Sequence, residues 1–480
     1  MKFNNNKLYI NAAAAVLFIS LTSCSVAKYD KPEVELPENF RNNTAIDLAE
    51  DSTTESIAKI PYREFFSDPE LLALIDAGVT NNNDLQVAVK QIEIASLSYK
   101  QSKWGNVPNV NLTFGAASIN RPSENSLNGS FAPAITGKSF IEDYSSSVSI
   151  SWEADIWGKI KGRKETALAS YLQTQEAAKA VQTQLVAQIA QGYYNLLMLD
   201  TQMEITNSNL ELVNKTLKMI TKQQELGITT SLSVEQQENT RDQILATIPQ
   251  IKQSIIIQEN ALSILTGKMP GEIIRKSKLV DVKTPNYNAV GLPSELLSHR
   301  PDVKSSEMDV RRAFANVKVS KASMYPALNI TAQGGLNSLN FKNWFDIPGS
   351  LFGTAMGSLA MPLLNGKQLK TQYEQSKIMM EQSELTFKQT VLNAVGEVSN
   401  VLATIESADE QDKVTTQLVT RSEKAVNTST KLFQQDMATY LDIITAQNNK
   451  LQAELSLATI KVQKLNAVVD LYRALGGGWQ

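Results

Sequence analysis

Catalysis needs side chains that attack, shuttle protons or hold metals, and this chain offers few in useful combination. Its 480 residues include one histidine, His299, and one cysteine, Cys24. That excludes a disulfide framework and leaves any Cys/His metal site to be drawn from those two residues. A hydrolase triad could use only His299, and no G-x-S-x-G nucleophile motif is present. The run His299-Arg300-Pro301-Asp302 invites a catalytic reading. A structural one is simpler: Pro301 suits the first position of a helix, and Asp302 suits its positive end. No methionine or histidine cluster points to dedicated metal handling. Lys and Arg total 46 against 49 Asp and Glu, for a net charge of −3 with no basic stripe, so no nucleic-acid partner is expected. Apolar residues at 42% and charged residues at 20% permit a sizeable core and exclude wholesale disorder. The composition leans away from an enzyme, and no cofactor is expected.

The one cysteine has another use. Lys2 and Lys7 precede an apolar run from Ala12 to Leu21, too short to span a bilayer as a helix, which ends Leu21-Thr22-Ser23-Cys24. This is similar to a bacterial lipoprotein signal, with 1–23 removed and Cys24 acylated. Ser25 follows, not the aspartate that retains many lipoproteins in the inner membrane, which implies the outer membrane. Residues 24–60 are polar, with Pro32 and Pro37, and read as an extended tether with little core of its own. Beyond the signal there is no apolar run of about 18 residues or more. If the chain crosses a membrane, it must do so as β-strands in a closed barrel.

The rest is written twice. Pro108-Asn-Val-Asn111-Leu-Thr113 matches Pro326-Ala-Leu-Asn329-Ile-Thr331 at an offset of 218, as Asp84 matches Asp302. Gly158-Lys159 matches Gly366-Lys367 at 208, and Leu232-Ser-Val234 matches Leu441-Asp-Ile443 at 209, as Leu262 and Gly267 match Leu471 and Gly476. The drop comes from a Pro-, Ser-, Asn- and Gly-rich stretch near 120–140, which reads as a long loop. The first repeat covers 61–270, a linker 271–290, and the second repeat 291–480.

Each repeat runs helix, strand, strand, long helix, turn, return helix. In the first, Pro69 to Lys103 is helical in pattern, and strands are expected at about 108–118 and 146–155. Val110, Leu112, Phe114 and Ala116 share one face, as do Val148, Ile150, Trp152 and Ala154. In the second, strands are expected at about 327–337 and 351–361. Leu328, Ile330, Ala332, Gly334 and Leu336 share a face, and so do Leu351, Gly353, Ala355, Gly357, Leu359 and Met361. Period-two segments of this length suit tilted membrane strands. Trp104, Trp152, Trp157 and Trp344 flank them, as interfacial girdles or as packing residues.

Long helices follow at 158–226 and 366–434, each roughly 100 Å at 1.5 Å per residue. In the first, Ile189, Leu196, Met203, Leu210 and Leu217 recur every seven residues, beside Gly192, Leu199, Thr206, Val213 and Ile220, which is a coiled-coil seam. The second carries Val398, Ile405, Asp412, Val419 and Val426 beside a small and polar row of Val401, Ala408, Thr415, Ser422 and Ser429. That row faces either water or a loosely packed second layer. Return helices are expected at 232–265 and 441–475, with Pro249 kinking or interrupting the first.

Taken together, the chain resembles the TolC-like outer membrane factor family, in its lipid-anchored branch. The residues that carry the resemblance are Leu-Leu-x-His-Arg300-Pro301-Asp302, Tyr325-Pro326 before a strand, and Tyr440-Leu441-Asp442-x-x-Thr-Ala446-Gln447, in duplicated order. The resemblance implies a mainly α protein with a membrane β-barrel. Three protomers would each give four strands to a twelve-stranded barrel continued by an α-helical barrel. Function would be passive conduction of substrate from an inner-membrane pump, of the RND type, through a periplasmic adaptor and out across the outer membrane. The periplasmic gate would comprise Tyr440, Leu441, Asp442, Thr445 and Asp436. Leu441 matches the family's leucine, whereas Thr445 stands where the family has an aspartate, so any acidic ring would move to Asp442 or Asp436. Leu441 reads equally as a core residue of a helical hairpin, and Asp442 as a helix N-terminal carboxylate. Gly227, Leu232 and Asp436, at the turns, would dock the adaptor. The competing reading is a lipid-anchored coiled-coil scaffold without a pore.

Overall fold

The computed structural model describes residues 29–37, 39–41, 56–285, 287, 290–435 and 437–480. The leader, Cys24 and Asp436 lie outside the described residues. In chain order the principal elements are α1 (Pro69–Asn81), α2 (Asn83–Ser102), β1 (Asn109–Asn120), α3 (Leu127–Thr136), β2 (Ile141–Ala154), α4 (Lys159–Glu225), α5 (Ser231–Leu265), α6 (Pro301–Ala322), β3 (Ala327–Ser338), β4 (Leu351–Ala360), α7 (Gln368–Gln434) and α8 (Tyr440–Ala474). The long helices α4 and α7 each have 67 residues, and the return helices α5 and α8 each have 35. No helix among the described residues is long and apolar enough to cross a membrane. Two compact units result. One comprises Ile94–Tyr171 and Met308–Leu385 with the described residues up to Pro32; the other comprises Glu33–Glu93, Leu172–Glu307 and Thr386–Gln480.

The first unit holds a four-stranded antiparallel sheet in the order β1-β2-β3-β4. Trp157 closes its lower end by donating its indole N–H to the carbonyl of Pro326 at 2.8 Å and stacking on Tyr325 at 4.8 Å. Just beyond the sheet, Thr166 of α4 donates to Asn316 of α6 at 3.1 Å, and Lys318 pairs with Glu165 at 3.3 Å. Gly162 permits that approach: a Cβ there would stand 2.8 Å from a methyl of Val319.

The second unit is helical, and its two repeats are pinned by equivalent side chains. Asn82 accepts from the Leu85 N–H at 2.9 Å and donates to the Leu265 carbonyl at the end of α5, also at 2.9 Å. Arg300, in the matching place before α6, donates to the Ala474 carbonyl at the end of α8 at 3.0 Å. Asn82 is a strong N-cap and ends α1 while starting α2, so the single helix expected over 69–103 is two helices.

A strap follows α5. Arg275 binds Asp200 on α4 and reaches Glu259 on α5 at 2.6 Å, and Lys278 meets Glu204 at 3.0 Å. Further along, Tyr287 donates to Asp409 on α7 at 2.9 Å, and Lys464 of α8 pairs with the same carboxylate. The N-terminal segment also packs more than its polarity suggests: Phe40, Ile57 and Ala58 are buried, and Phe65 stacks on Tyr472 at 4.0 Å. The tether expected over 24–60 is therefore partly core.

Four further expectations change. The stretch 120–140 is not simply a loop but carries α3, because Ser126 caps its start at Gly129 and Gly137, at φ 70°, caps its end. Pro249 does not interrupt α5, which is continuous from Ser231 to Leu265. Pro249 and Leu245, one turn back, are both exposed, so water can satisfy the carbonyl that loses its partner. Ala116 leaves the face of Val110 and Leu112, because a bulge between Thr113 and Ala116 shifts the register. Finally, β2 begins at Ile141, five residues before the expected start.

Candidate conduit surface and helical tip

The sheet has two chemically distinct faces. Paired residues across an antiparallel sheet point the same way, so the printed register defines each face. One carries Val110, Leu112, Val148, Ile150, Leu328, Ile330, Leu351 and Leu359. Leu112 is 73% exposed, Val110 62% and Leu359 60%. An exposed apolar face this continuous is a liability in water and a match for lipid. The other face carries Asn109, Asn111, Thr113, Ser147, Ser149, Ser151, Asn329, Thr331 and Gln333. Gln333 donates to Ser147 at 2.9 Å within this row. Phe352 and Met356 of β4 interrupt its polarity. Its carboxylates are paired: Glu153 with Lys159 at 2.8 Å, and Asp143 with the Asn337 amide. The outer edges of β1 and β4 meet no strand among the described residues.

Of the tryptophans, Trp152 donates to the Asn106 carbonyl at 3.0 Å near the lower end of the sheet, beside exposed Trp104. Near the upper end Trp344 is buried among Tyr144, Phe341 and Phe345 and covers Gly115 of the bulge. Aromatic contacts thus lie at both ends of the strands, Trp157 on Tyr325 at the lower and the Trp344 group at the upper.

In the helical unit, the turns after α4 and α7 are held against one another by a buried cluster of Ile220, Phe433 and Ile443, with Tyr440 and Val234 packed on it. After α4, Ile228 N–H donates to Gln223 at 2.8 Å and Gly227 N–H to Gln224 at 3.0 Å. This is a Schellman turn with Gly227 at φ 71°. After α7, Met437 N–H donates to Leu432 at 2.8 Å in the same pattern.

The side chains of the return helix α8 then divide. Leu441, Asp442 and Thr445 are exposed together on one side of its first turns, while Ile443, Ile444, Ala446 and Gln447 are buried on the other. Tyr440 belongs with the packed side and not with the exposed trio. Leu441 is 56% exposed, so it is not a core residue within the protomer. Asp442 closes a capping box, accepting from the Thr439 N–H at 2.8 Å and its hydroxyl at 2.7 Å. Those bonds hold its carboxyl below the usual aspartate range. In the first repeat, Ser233 takes the corresponding place after Thr230. Leu232, like Gly227, is exposed.

Two buried amides lie behind the tip; Gln447 is the last residue of the tip motif, to which the sequence assigned no role, and Gln237 was not singled out. Gln447 of α8 donates to the Thr216 hydroxyl on α4 at 2.8 Å, and Gln237 of α5 donates to the Val213 carbonyl at 3.1 Å. The heptad rows contained the signal only in part. Ile189 and Leu196 are buried, but by the next heptads Asn209 and Thr216 replace Leu210 and Leu217 at the centre of the packed face. In α7, Ala408, Thr415 and Ser422 are buried, so that small row packs.

Arg300 explains the histidine motif. It is 8% exposed and binds Asp302 at 2.8 Å and Glu397 of α7 at 2.5 Å; Arg473 binds Glu397 as well. Burial alone would raise the Glu397 carboxyl, but the two guanidinium groups outweigh it and hold it below its ordinary range. Among the described residues the His299 ring hydrogen-bonds to Ser298 and the Glu295 carbonyl, an arrangement without a nucleophile–base–acid geometry. No group of three or more metal-ligating side chains occurs among the described residues.

A sheet with one apolar and one polar face, whose edges meet no strand among the described residues, in a chain with helices far longer than the globular mean, fits a subunit of a membrane-spanning conduit. A sequence profile for the outer membrane efflux protein family matches residues 74–268 and 292–477, and the chain belongs to that family of channels. Among its relatives are the probable efflux pump outer membrane protein TtgC of Pseudomonas putida, 27% identical over 97% of this chain and 95% of that one. The cation efflux system protein CusC of Escherichia coli is 25% identical over 96% of this chain and 97% of its own. The fold matches the outer-membrane channel OprN with a TM-score of 0.85 at 20% identity, covering 95% of this chain and all of that one. It matches the open state of the Neisseria gonorrhoeae MtrE channel at 0.81 and 22% identity, covering 95% of this chain and 98% of that one. The protein is an outer membrane efflux channel subunit.

Proposed function

We propose that three copies of this chain form the outer membrane duct of a tripartite efflux system. It passively conducts substrate delivered by an inner-membrane pump of the RND type and a periplasmic adaptor. The observation that carries the reading is the sheet with one lipid-compatible face, one polar face and two unpaired edges. Four strands cannot close alone, and open edges are not tolerated in lipid. Copies that join β4 of one to β1 of the next remove every edge and enclose the polar face. Tyr440, Leu441, Asp442, Thr445 and Asp436 form the periplasmic gate, and Gly227, Leu232 and Asp436 dock the adaptor; the solvent exposure of Leu441, Asp442, Thr445, Gly227 and Leu232 supports this. Cys24 carries the lipid anchor, so palmitate should label the wild type and not Cys24→Ser.

The relatives' names mention toluene, solvent and cation efflux, so the shared architecture does not select one cargo. The test is native mass in mild detergent, followed by conductance in planar bilayers. A trimer of roughly 150 kDa protein mass that conducts is the expected result. A monomer released from membranes by carbonate would overturn it in favour of the pore-free scaffold.

A further inference from the structure

The loops at the upper end of the sheet differ between repeats, and each displays unspent chemistry. At the β1 edge, Arg121 directly follows the strand and is exposed, with no acidic partner among the described residues. Behind it α3 presents Leu127, 75% exposed, and Phe131, 54% exposed. This helix is a built knob and not a slack loop. Gly129 packs so closely that a Cβ there would lie 1.9 Å from the Ser123 carbonyl oxygen, and Ser126 caps the first turn. At the β4 edge, Asp346 is exposed and its carboxylate has no basic partner among the described residues. Phe345 and Ile347 flank it, 57% and 64% exposed. The segment is fixed by Ser350 N–H donating to the Asp346 carbonyl at 2.8 Å and by the Ser350 hydroxyl donating to Asn343.

Register places both features at the same end. Asn120 pairs with Ile141, Tyr144 with Ser338, and Leu336 with Leu351. Within one chain they stand on opposite edges of the sheet, three strand spacings or roughly 14 Å apart. Between chains they become neighbours, because closure sets β4 of one copy beside β1 of the next, antiparallel, with these ends together.

We propose that the occupant of each patch is a second copy of this chain. Arg121 of one protomer pairs with Asp346 of its neighbour, and α3 packs Leu127 and Phe131 against Phe345 and Ile347, forming a clasp around the outer rim. The inference rests on the trimeric reading above. It adds a contact outside the strand ladder, between loops of unlike repeats. Opposite charges at matched edges and apolar groups on both sides favour a protein partner over lipid, whose phosphates would answer Arg121 but repel Asp346.

The test uses the full chain in outer membranes, with native mass measured first. The double variant Arg121→Cys with Asp346→Cys, treated with a short bis-methanethiosulfonate linker because an Arg–Asp pair holds its Cα atoms farther apart than the roughly 7 Å a direct disulfide bridges, should give reductant-sensitive dimers and trimers on non-reducing gels, and neither single variant should. A wild-type trimer with no such ladder overturns the clasp and leaves the channel standing. A wild-type monomer overturns both. An independent reading comes from charge exchange. Arg121→Asp and Asp346→Arg should each lower the temperature at which the trimer dissociates, and the double exchange should restore it. Additive losses in the double variant would overturn the pairing.

Discussion

Asp442 shows how one side chain serves local structure and still faces open water. Its bonds to Thr439 begin α8, while its exposure with Leu441 and Thr445 leaves the charge available at the tip. Asp442→Asn keeps an acceptor for the cap but removes the charge, so cation preference in bilayer recordings should fall while helix content stays unchanged. Because the carboxyl titrates below the ordinary aspartate range, the wild-type preference should persist on acidification past the point where a free aspartate would lose it. Glu397 behaves oppositely in purpose, since it holds the helix ends of the second repeat. Its folded carboxyl is lowered by Arg300 and Arg473, so its contribution to stability is present above the unfolded carboxylate pKa and is lost as pH falls through the folded one. Arg300→Met should cost about 3 kcal/mol at neutral pH and flatten the acid limb of the thermal unfolding profile.

At the scale of elements, the two faces of the sheet make opposite demands. Ile150→Lys puts a charge on the apolar face and should cost about 2–4 kcal/mol in membrane assembly if it lies near the bilayer midplane. Ser149→Lys, one residue away, lies on the polar face and should assemble normally while shifting ion selectivity toward anions. Equal loss of assembly in both variants would show that the faces are misassigned. Much of this architecture was legible in advance. Alternation in β3 and β4 survives unbroken in the register, and the offset of 209 that relates the repeats also relates the starts of α5 and α8. What escaped was set by geometry that composition does not carry. Gly115 at φ 75° allowed the bulge that turned Ala116 over, and the Asn82 cap on Leu85 was masked by the helical pattern on both sides of it, while its bond to Leu265 exists only once α5 stands beside it. At the tip, the family pattern drew attention to Leu441 and Thr445. Gln447 entered only as the last residue of the tip motif, with no role assigned, and Gln237 passed unnoticed, because polar residues in a seam look like surface until the packing is seen.

At the scale of the whole molecule, the strap between repeats is divided in its loyalties. Arg275 and Lys278 bind helices of the first repeat, whereas Tyr287 binds one of the second. A break in the chain after Val282 would leave each half holding its own clamp. Two separately expressed polypeptides, cut there, should reassociate into a six-chain complex of normal size, seen as co-purification through a tag on either fragment. Failure to co-purify would mean that the covalent link does more than hold the halves in proximity. The protein can thus be regarded as a heterodimer whose two partners happen to share one peptide backbone, and whose ancestral seam is still ready to be reopened.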